Sequence, residues 1–423
     1  MSKENGIKGG LKQVLGGDLR QFVMVGAVIV ALIIFQILNN GRMITSSNFQ
    51  NIISGNAYVF TLSIGMVMVI ILGQIDLSVG SVAGFVGMTV AITASEYGWP
   101  WWVATLGGLG IGALIGAWQG FWLSKMGIPG FISTLAGMMI FRGGVIWMSH
   151  SISRPAPEEL SWFGAGSLPE WGPNTGLNNS TLLLGVIAIA AVVFMQLRKW
   201  KRLATAESKP PLWPVIVRLV VIVGVIGYLT YLFGSGNIGT SFPVPGLIVG
   251  FLVVIYHIIT QHTRFGRHIY AVGGNKAAAA LTGVNVSRTY FLAMFNMSIL
   301  AAVAGIMFIG RSTAAGPSDG NSWELDAIAA VFIGGAAVSG GIGTVVATIV
   351  GGLFMAVLNN GLMLYGVSAD QTQVIKGLVL LAAVAVDVLN KQQGRPSIFS
   401  RLSRKKAAPA EIPQEQIATE SAA

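Results

Sequence analysis

Charged residues are so sparse in this chain that they punctuate it, and the stretches between them are apolar. Residues 21–41 carry no charge and include the run FVMVGAVIVALIIFQIL. Residues 43–95 carry one charge, Asp76, and divide there into 56–73 and 79–95. Residues 97–124 and 126–141 follow, separated by Lys125, Gly127 and Pro129. Further apolar stretches lie at 181–197, 213–233, 245–262 and 289–310. The stretch 327–369 is long enough for two passes broken at Ser339-Gly340-Gly341, and a last one covers about 372–390. A helix needs roughly 20 apolar residues to cross a bilayer. The pattern therefore predicts an all-α, polytopic membrane helical bundle of about 12 spans.

Composition supports this. Apolar residues make up 53% of the 423 and charged residues 10%, against about 25% charged in a soluble domain. A folded soluble enzyme needs more surface charge than this, and disorder needs lower hydrophobicity. The 56 glycines suit helices that pack closely in lipid. With no cysteine and four scattered histidines, disulfides, thiolate chemistry and zinc sites find no support. No GxxxxGK[ST] phosphate loop occurs, and no nucleophile–base or carboxylate pair suggests catalysis.

The net charge is +10, and its placement matters more than its size. With the N-terminus inside, segments 1–20, 198–214, 263–288, 391–423 and the turn at Lys125 hold 20 of the 26 Lys and Arg. That asymmetry puts both termini in the cytoplasm and accounts for the charge without nucleic acid. The N-terminal run resembles a signal peptide but lacks a small-x-small cleavage site, so it reads as a retained first span. Residues 391–423 read as a disordered cytoplasmic tail.

Four polar constellations interrupt the apolar pattern. The first is GQIDLSVGS at 73–81. A lone carboxylate in a long uncharged stretch must face protein, water or the interface. Asp76 and Ser78 precede a helix whose free N–H groups they can satisfy, and Gly73 and Gly80 permit a sharp backbone change. A broken helix lining a path and a hairpin turn with a capping Asp stand equal on these grounds. The second is Gly108, Gly112, Gly116 and Gly120, a flat stripe for close packing. The third is the polar segment 263–288. Asn275 can cap a short helix over Lys276–Leu281, and Gly283 can end it, with Gly273 and Gly274 allowing a sharp entry. Residue physics favours a topology-determining loop here over a docking element. The fourth is Asn359, Asn360, Gln371, Gln373 and Lys376, amides and an amine that bond neighbouring helices or line a polar cavity. Packing is the commoner role for such amides.

A weak internal similarity runs through the chain. Gly73-x4-Ser78-x-Gly80 recurs as Gly334-x4-Ser339-x-Gly341, and Val103-Ala104-Thr105 as Val346-Ala347-Thr348. The two copies run in opposite directions, as in the inverted repeats and broken helices of transporters. Their unequal spacing leaves coincidence as the alternative.

Four segments, GQIDLSVGSVAGFVG (73–87), GIPGFISTLAGM (127–138), TRFGRHIYAVGGNKAAAALTGV (263–284) and GGAAVSGGIGT (334–344), resemble the permeases of bacterial sugar ABC importers, the ribose, arabinose, galactose and xylose group. The resemblance covers nearly all of 20–390. It implies an inner-membrane subunit that forms the path for a monosaccharide as a homodimer. The partners it implies are a cytoplasmic ATPase that holds the ATP and a periplasmic sugar-binding protein. This chain itself would carry no cofactor or metal. The motif carries over onto Gly73, Asp76, Leu77, Ser78 and Gly80 as a path or conformational element, with Asn359 and Asn360 as further path candidates. It also puts ATPase coupling first for 263–288, at Arg264, Phe265, Gly266, Arg267, Gly273, Gly274, Asn275, Ala278 and Gly283. An insertion between about 150 and 245 adds two spans to a ten-span core, joined by RKWKRLATAESKPPLWP. This longer form is similar to the D-xylose permeases, and lipid-facing padding or subunit contact is the expected role of the insertion. The alternative is an ion-coupled secondary transporter of a small polar solute, with Asp76 or Lys376 at the ion site.

Overall fold

The computed structural model describes residues 19–173, 175–204, 213–235 and 241–391. The N-terminal arm before residue 19, the centre of the basic loop 198–214 and the tail beyond 391 lie outside the described residues. The chain divides into two compact units, 1–380 and 381–423, and of the second only the end of one helix is described.

Helices α1 (Leu19–Leu38), α2 (Ser46–Ile71), α3 (Val79–Ser95), α4 (Trp101–Ser124) and α5 (Gly130–Ser149) form the first half. The insertion contributes a short helix α6 (Ser161–Gly164) and the pair α7 (Asn179–Ala204) and α8 (Trp213–Gly234). Then come α9 (Val244–His262), α10 (Arg264–Gly274), α11 (Lys276–Leu281), α12 (Val286–Ser312), α13 (Trp323–Ile333), α14 (Val345–Tyr365) and α15 (Ala369–Lys391). Among the described residues, eight helices are long and apolar enough to cross a membrane: α2, α4, α5, α7, α8, α9, α12 and α14. Helices α1 and α3 contribute shorter apolar stretches.

The core is α2, α3 and α12. Lipid gives helices no hydrophobic reason to associate, so close approach must come from small residues. The glycine stripe of α4 serves that purpose. A Cβ at Gly112 would lie 2.6 Å from the Ala302 methyl, at Gly116 2.8 Å from the Phe295 backbone, and at Gly120 3.0 Å from Phe291. Gly108 lies against Val86 and Val90 of α3 in the same way. Gly65 of α2 meets Met297 and Leu300 of α12. Except at α6, which packs on α12 where Gly164 meets the Gly310 and Arg311 backbone, the insertion is peripheral. Its two long helices pack on each other where Gly185 receives Thr230, and α8 reaches α2 through the edge-on pair Phe49–Phe233. Only 11% and 6% of their apolar windows are buried, against 78% for α2.

One expected span is different in kind. The apolar stretch from 327 to the glycine break at Ser339 reads as a full pass, but α13 has 11 residues. At 1.5 Å per residue that is about 16 Å, half the thickness of the hydrocarbon core. Before it, residues 316–322 run without helix, mostly as turns, with Gly320 at φ +84° and Ser322 at φ +65°. The sequence GPSDGNS (316–322) cannot sustain a helix. This segment lies in a trough on α3, where Gly80 and Gly84 leave room for the Gly320 and Asp319 carbonyls. The route is therefore a descending loop followed by a half-length helix.

The two ends of the bundle differ. One carries a two-stranded pairing of β1 (Arg154–Pro155) with β2 (Ala314–Ala315) and an Arg154–Glu96 ion pair at 2.5 Å. The other carries the breaks at 72–78 and 334–344 together with α10 and α11. The two breaks meet, since the Gly341 N–H donates to the Ile71 carbonyl at 2.8 Å. The glycine part of the internal similarity thus marks two breaks in contact. The VAT segments both lie at the start of a helix, α4 in one case and α14 in the other.

Candidate functional site

Helix α2 stops at Ile71 because Gly73 takes φ +72°, a backbone state that favours glycine. The chain then runs without helix, buried or half-buried from Gln74 on, and restarts at Val79. Asp76 is 1% exposed. Its Oδ1 accepts from the Ser78 N–H at 2.8 Å and from the Ser78 hydroxyl at 2.6 Å. The Ser78 oxygen in turn accepts from Gln119 Nε2 of α4 at 2.6 Å. The Leu77 N–H donates to Thr134 Oγ1 of α5 at 3.1 Å, and Gln74 Oε1 accepts from the Gly130 N–H at 3.0 Å. Asp76 therefore closes a tight turn on Ser78 at a true break between helices, which α4 and α5 hold in place, and among the described residues no side chain caps the first turn of α3 itself.

The break has oxygens to spare. Asp76 Oδ2, Gln119 Oε1 and Glu324 Oε2 are buried without a hydrogen-bond partner among the described residues. A Cβ at Gly80 would sit 2.5 Å from Glu324 Oε2, so the two carboxylates flank the first turn of α3. The free N–H groups and positive end of that helix favour negative charge there. Gly80 is helical and serves close approach; it does not supply the chain reversal expected for it. Glu324 and Asp326 escaped the sequence reading, although SWELDAIAAVFI places two acids directly ahead of an apolar run, where helix N-termini hold them. Asp326 pairs with Lys376 Nζ at 2.5 Å, joining α13 to α15.

Among the amides, Asn360 is buried and exchanges two hydrogen bonds with Asn48, at 2.9 and 3.0 Å. Asn48 also donates to the Met43 carbonyl at 2.8 Å. This is a clasp between α2 and α14, a contact that contributes about 1 kcal/mol in lipid. Asn359 is half-buried beside it.

Residues 263–284 hold more structure than the predicted short helix. Thr263 caps α10 by accepting from the Gly266 N–H at 3.2 Å. Gly266, Ile269 and Val272 form the buried face of α10 while Arg264 and Arg267 are exposed. Phe265 is half-buried. Gly273 and Gly274 belong to α10 and are not the sharp entry expected; the turn falls at Asn275, whose backbone is extended. Asn275 caps α11 as predicted, its Oδ1 accepting from the Ala278 N–H at 3.0 Å, and Gly283 ends it at φ +85°. Ala278 is exposed, Ala279 is buried and Leu281 is 90% exposed.

Helix α10 is fastened to the second break. The Tyr270 hydroxyl donates to the Gly343 carbonyl at 2.7 Å and accepts from Gln261 at 3.0 Å. Burial pushes the Tyr270 phenol up, so it remains a donor. A cavity of about 480 Å³ opens between α11 and the first break, lined by Gln74, Ser124, Ile128, Lys276, Ser287 and Tyr290 among others. The Lys276 amine lies 5.6 Å from the Tyr290 ring centre. No group of three or more metal-ligating side chains that could hold an ion occurs among the described residues.

Known proteins match the chain over nearly its whole length. The family model for the branched-chain amino acid transport system / permease component matches residues 48–384. The chain is 34% identical over 391 residues to the xylose transport system permease protein of Escherichia coli (strain K12), covering 91% of this chain and 96% of that one. Its Haemophilus influenzae counterpart is 32% identical over 382 residues, 89% of this chain and 98% of that one. The ribose import permease protein of Escherichia coli (strain K12) is 32% identical over 371 residues, 87% and 94%. No solved structure matches. The apolar helices and these relatives make the chain a multi-pass inner-membrane transport subunit and not an enzyme. With a family model matched across residues 48–384, the chain belongs to the permease components of the branched-chain amino acid transport system family.

Proposed function

We propose that this chain is the permease subunit of an ATP-driven ABC importer for a monosaccharide, D-xylose first. Two copies form the translocation path, a separate cytoplasmic ATPase supplies the energy, and a periplasmic sugar-binding protein delivers the sugar. The observation that carries the reading is the similarity to the xylose permeases, which covers 91% and 89% of this chain and 96% and 98% of theirs. The family's own description names branched-chain amino acids, and the pentose relatives weigh against that substrate.

Geometry supports a division of labour. The break at Gly73, Asp76, Leu77, Ser78 and Gly80 is the path or conformational element. A buried helix N-terminus, two carboxylates and an amide converge there, and acceptor oxygens suit a solute made of hydroxyls. Asn360 is committed to Asn48, which supports a packing role for it, and Asn359 stays with the path candidates. Helices α10 and α11, with an exposed Leu281 among basic residues, are the contact for the ATPase. The low burial of α7 and α8 supports lipid-facing padding.

The test is uptake of labelled D-xylose into proteoliposomes holding the permease, the ATPase and the binding protein. Unlabelled D-xylose should compete and leucine should not. Competition by leucine alone would make the substrate an amino acid.

A further inference from the structure

The coupling segment and the two broken-helix turns meet at one point. A Cβ added at Gly273 would collide with the Ile71 carbonyl oxygen and lie 2.9 Å from the Gly341 nitrogen. The Gly341 N–H donates to that same carbonyl at 2.8 Å. The carbonyl belongs to the last residue of α2, one of the groups a helix end leaves unsatisfied. A Cβ at Gly340 would lie 3.0 Å from both the Gly273 and Ile71 oxygens and 3.1 Å from the Gly73 nitrogen. One turn before, the Tyr270 hydroxyl holds the Gly343 carbonyl at 2.7 Å. At the opposite end of α10, Gly266 lies against the Thr260 backbone of α9. Gly266 and Gly273 stand seven residues apart on one face, a separation of about 10 Å.

We infer that Gly273 and Tyr270 are the positioning residues through which a displacement of α10 reaches both breaks at once, with Gly266 as the pivot. The inference rests on the proposed ATPase contact of α10 and α11. Three backbones touch at the node, so a shift of α10 has no flexible side chain to absorb it. Packed contacts of this kind change by discrete steps and not by gradual deformation. The first break holds Asp76 and its Ser78–Gln119 chain, so the node lies one short segment from the candidate path. Helix α11 borders the 480 Å³ cavity, which leaves it room to move where α10 has little.

The test uses the importer reconstituted with its ATPase and binding protein, with D-xylose as the probe. Gly273→Ala and Tyr270→Phe are compared with the parent for basal ATP hydrolysis, hydrolysis stimulated by the sugar-loaded binding protein, and crosslinking to the ATPase. The chain has no cysteine, so a cysteine at Ala278 reports docking without background. Stimulation is expressed relative to each variant's own basal hydrolysis and crosslink yield. Stimulation should fall about five-fold in Tyr270→Phe, the size of one lost hydrogen bond, and about ten-fold or more in Gly273→Ala, where backbones must separate. Full stimulation in Tyr270→Phe, or in an assembled Gly273→Ala, overturns the inference and leaves the ATPase contact standing. Absence of the crosslink in the parent removes the contact itself, and the inference with it.

Discussion

At the scale of single residues, Asp76 concentrates the chemistry. Its carboxylate accepts twice from Ser78 inside the protein, and loss of such hydrogen bonds costs about 1 kcal/mol each. That is too little to prevent insertion of a bundle this extensive, yet enough to loosen the break. Asp76→Ala should therefore reach the membrane at the parental level and lose most of its D-xylose uptake, measured with immunoblots and labelled sugar. Parental uptake in an inserted variant would show that the carboxylate serves neither path nor turn. Asp76 was legible in the sequence because it stands alone among apolar residues. Its supports, Gln119 and Thr134, were not, because single amides and hydroxyls in a span look alike until another helix is placed beside them. Glu324 and Asp326 were readable as first-turn acids but were hidden behind the apolar run that follows them.

At the scale of elements, α11 divides two alanines that the sequence treats as equal. Ala278 is exposed and Ala279 is buried, 4% accessible. Ala278→Trp should preserve membrane level and abolish ATPase association in a pull-down from detergent. Ala279→Trp should lower the membrane level itself, since overpacking a filled site costs about 1–3 kcal/mol. Equal behaviour of the two would contradict the placement of α11. The insertion helices offer a separate check. Val186 is 62% exposed, so Val186→Cys should label with a lipid-soluble maleimide at a rate that D-xylose leaves unchanged; protection by sugar would bring α7 into the path. The cap at Asn275 and the end at Gly283 follow from local chemistry, and the sequence shows both. Helix α10 does not announce itself, because its glycines read as turn signals. Only the backbones of α9 and of the breaks explain why a helix needs glycine at 266 and 273.

At the scale of the whole molecule, charge spacing alone conveys a polytopic bundle, but apolar length misreads 327–338. A half-length helix and a full span look the same when the preceding polar loop also enters the bundle. That loop can descend because α3 presents Gly80 and Gly84 to it, a tertiary provision that no local pattern carries. The resulting fold gathers two breaks, α10 and α11 at one end, as a subunit driven from that end requires. The most direct measurement compares two proteoliposome preparations. One holds the permease with its ATPase and binding protein, supplied with ATP on the ATPase side; the other holds the permease alone under a proton or sodium gradient. The account predicts accumulation of D-xylose in the first, abolished when ATP is withheld, and none in the second. Gradient-driven accumulation by the chain alone would contradict it.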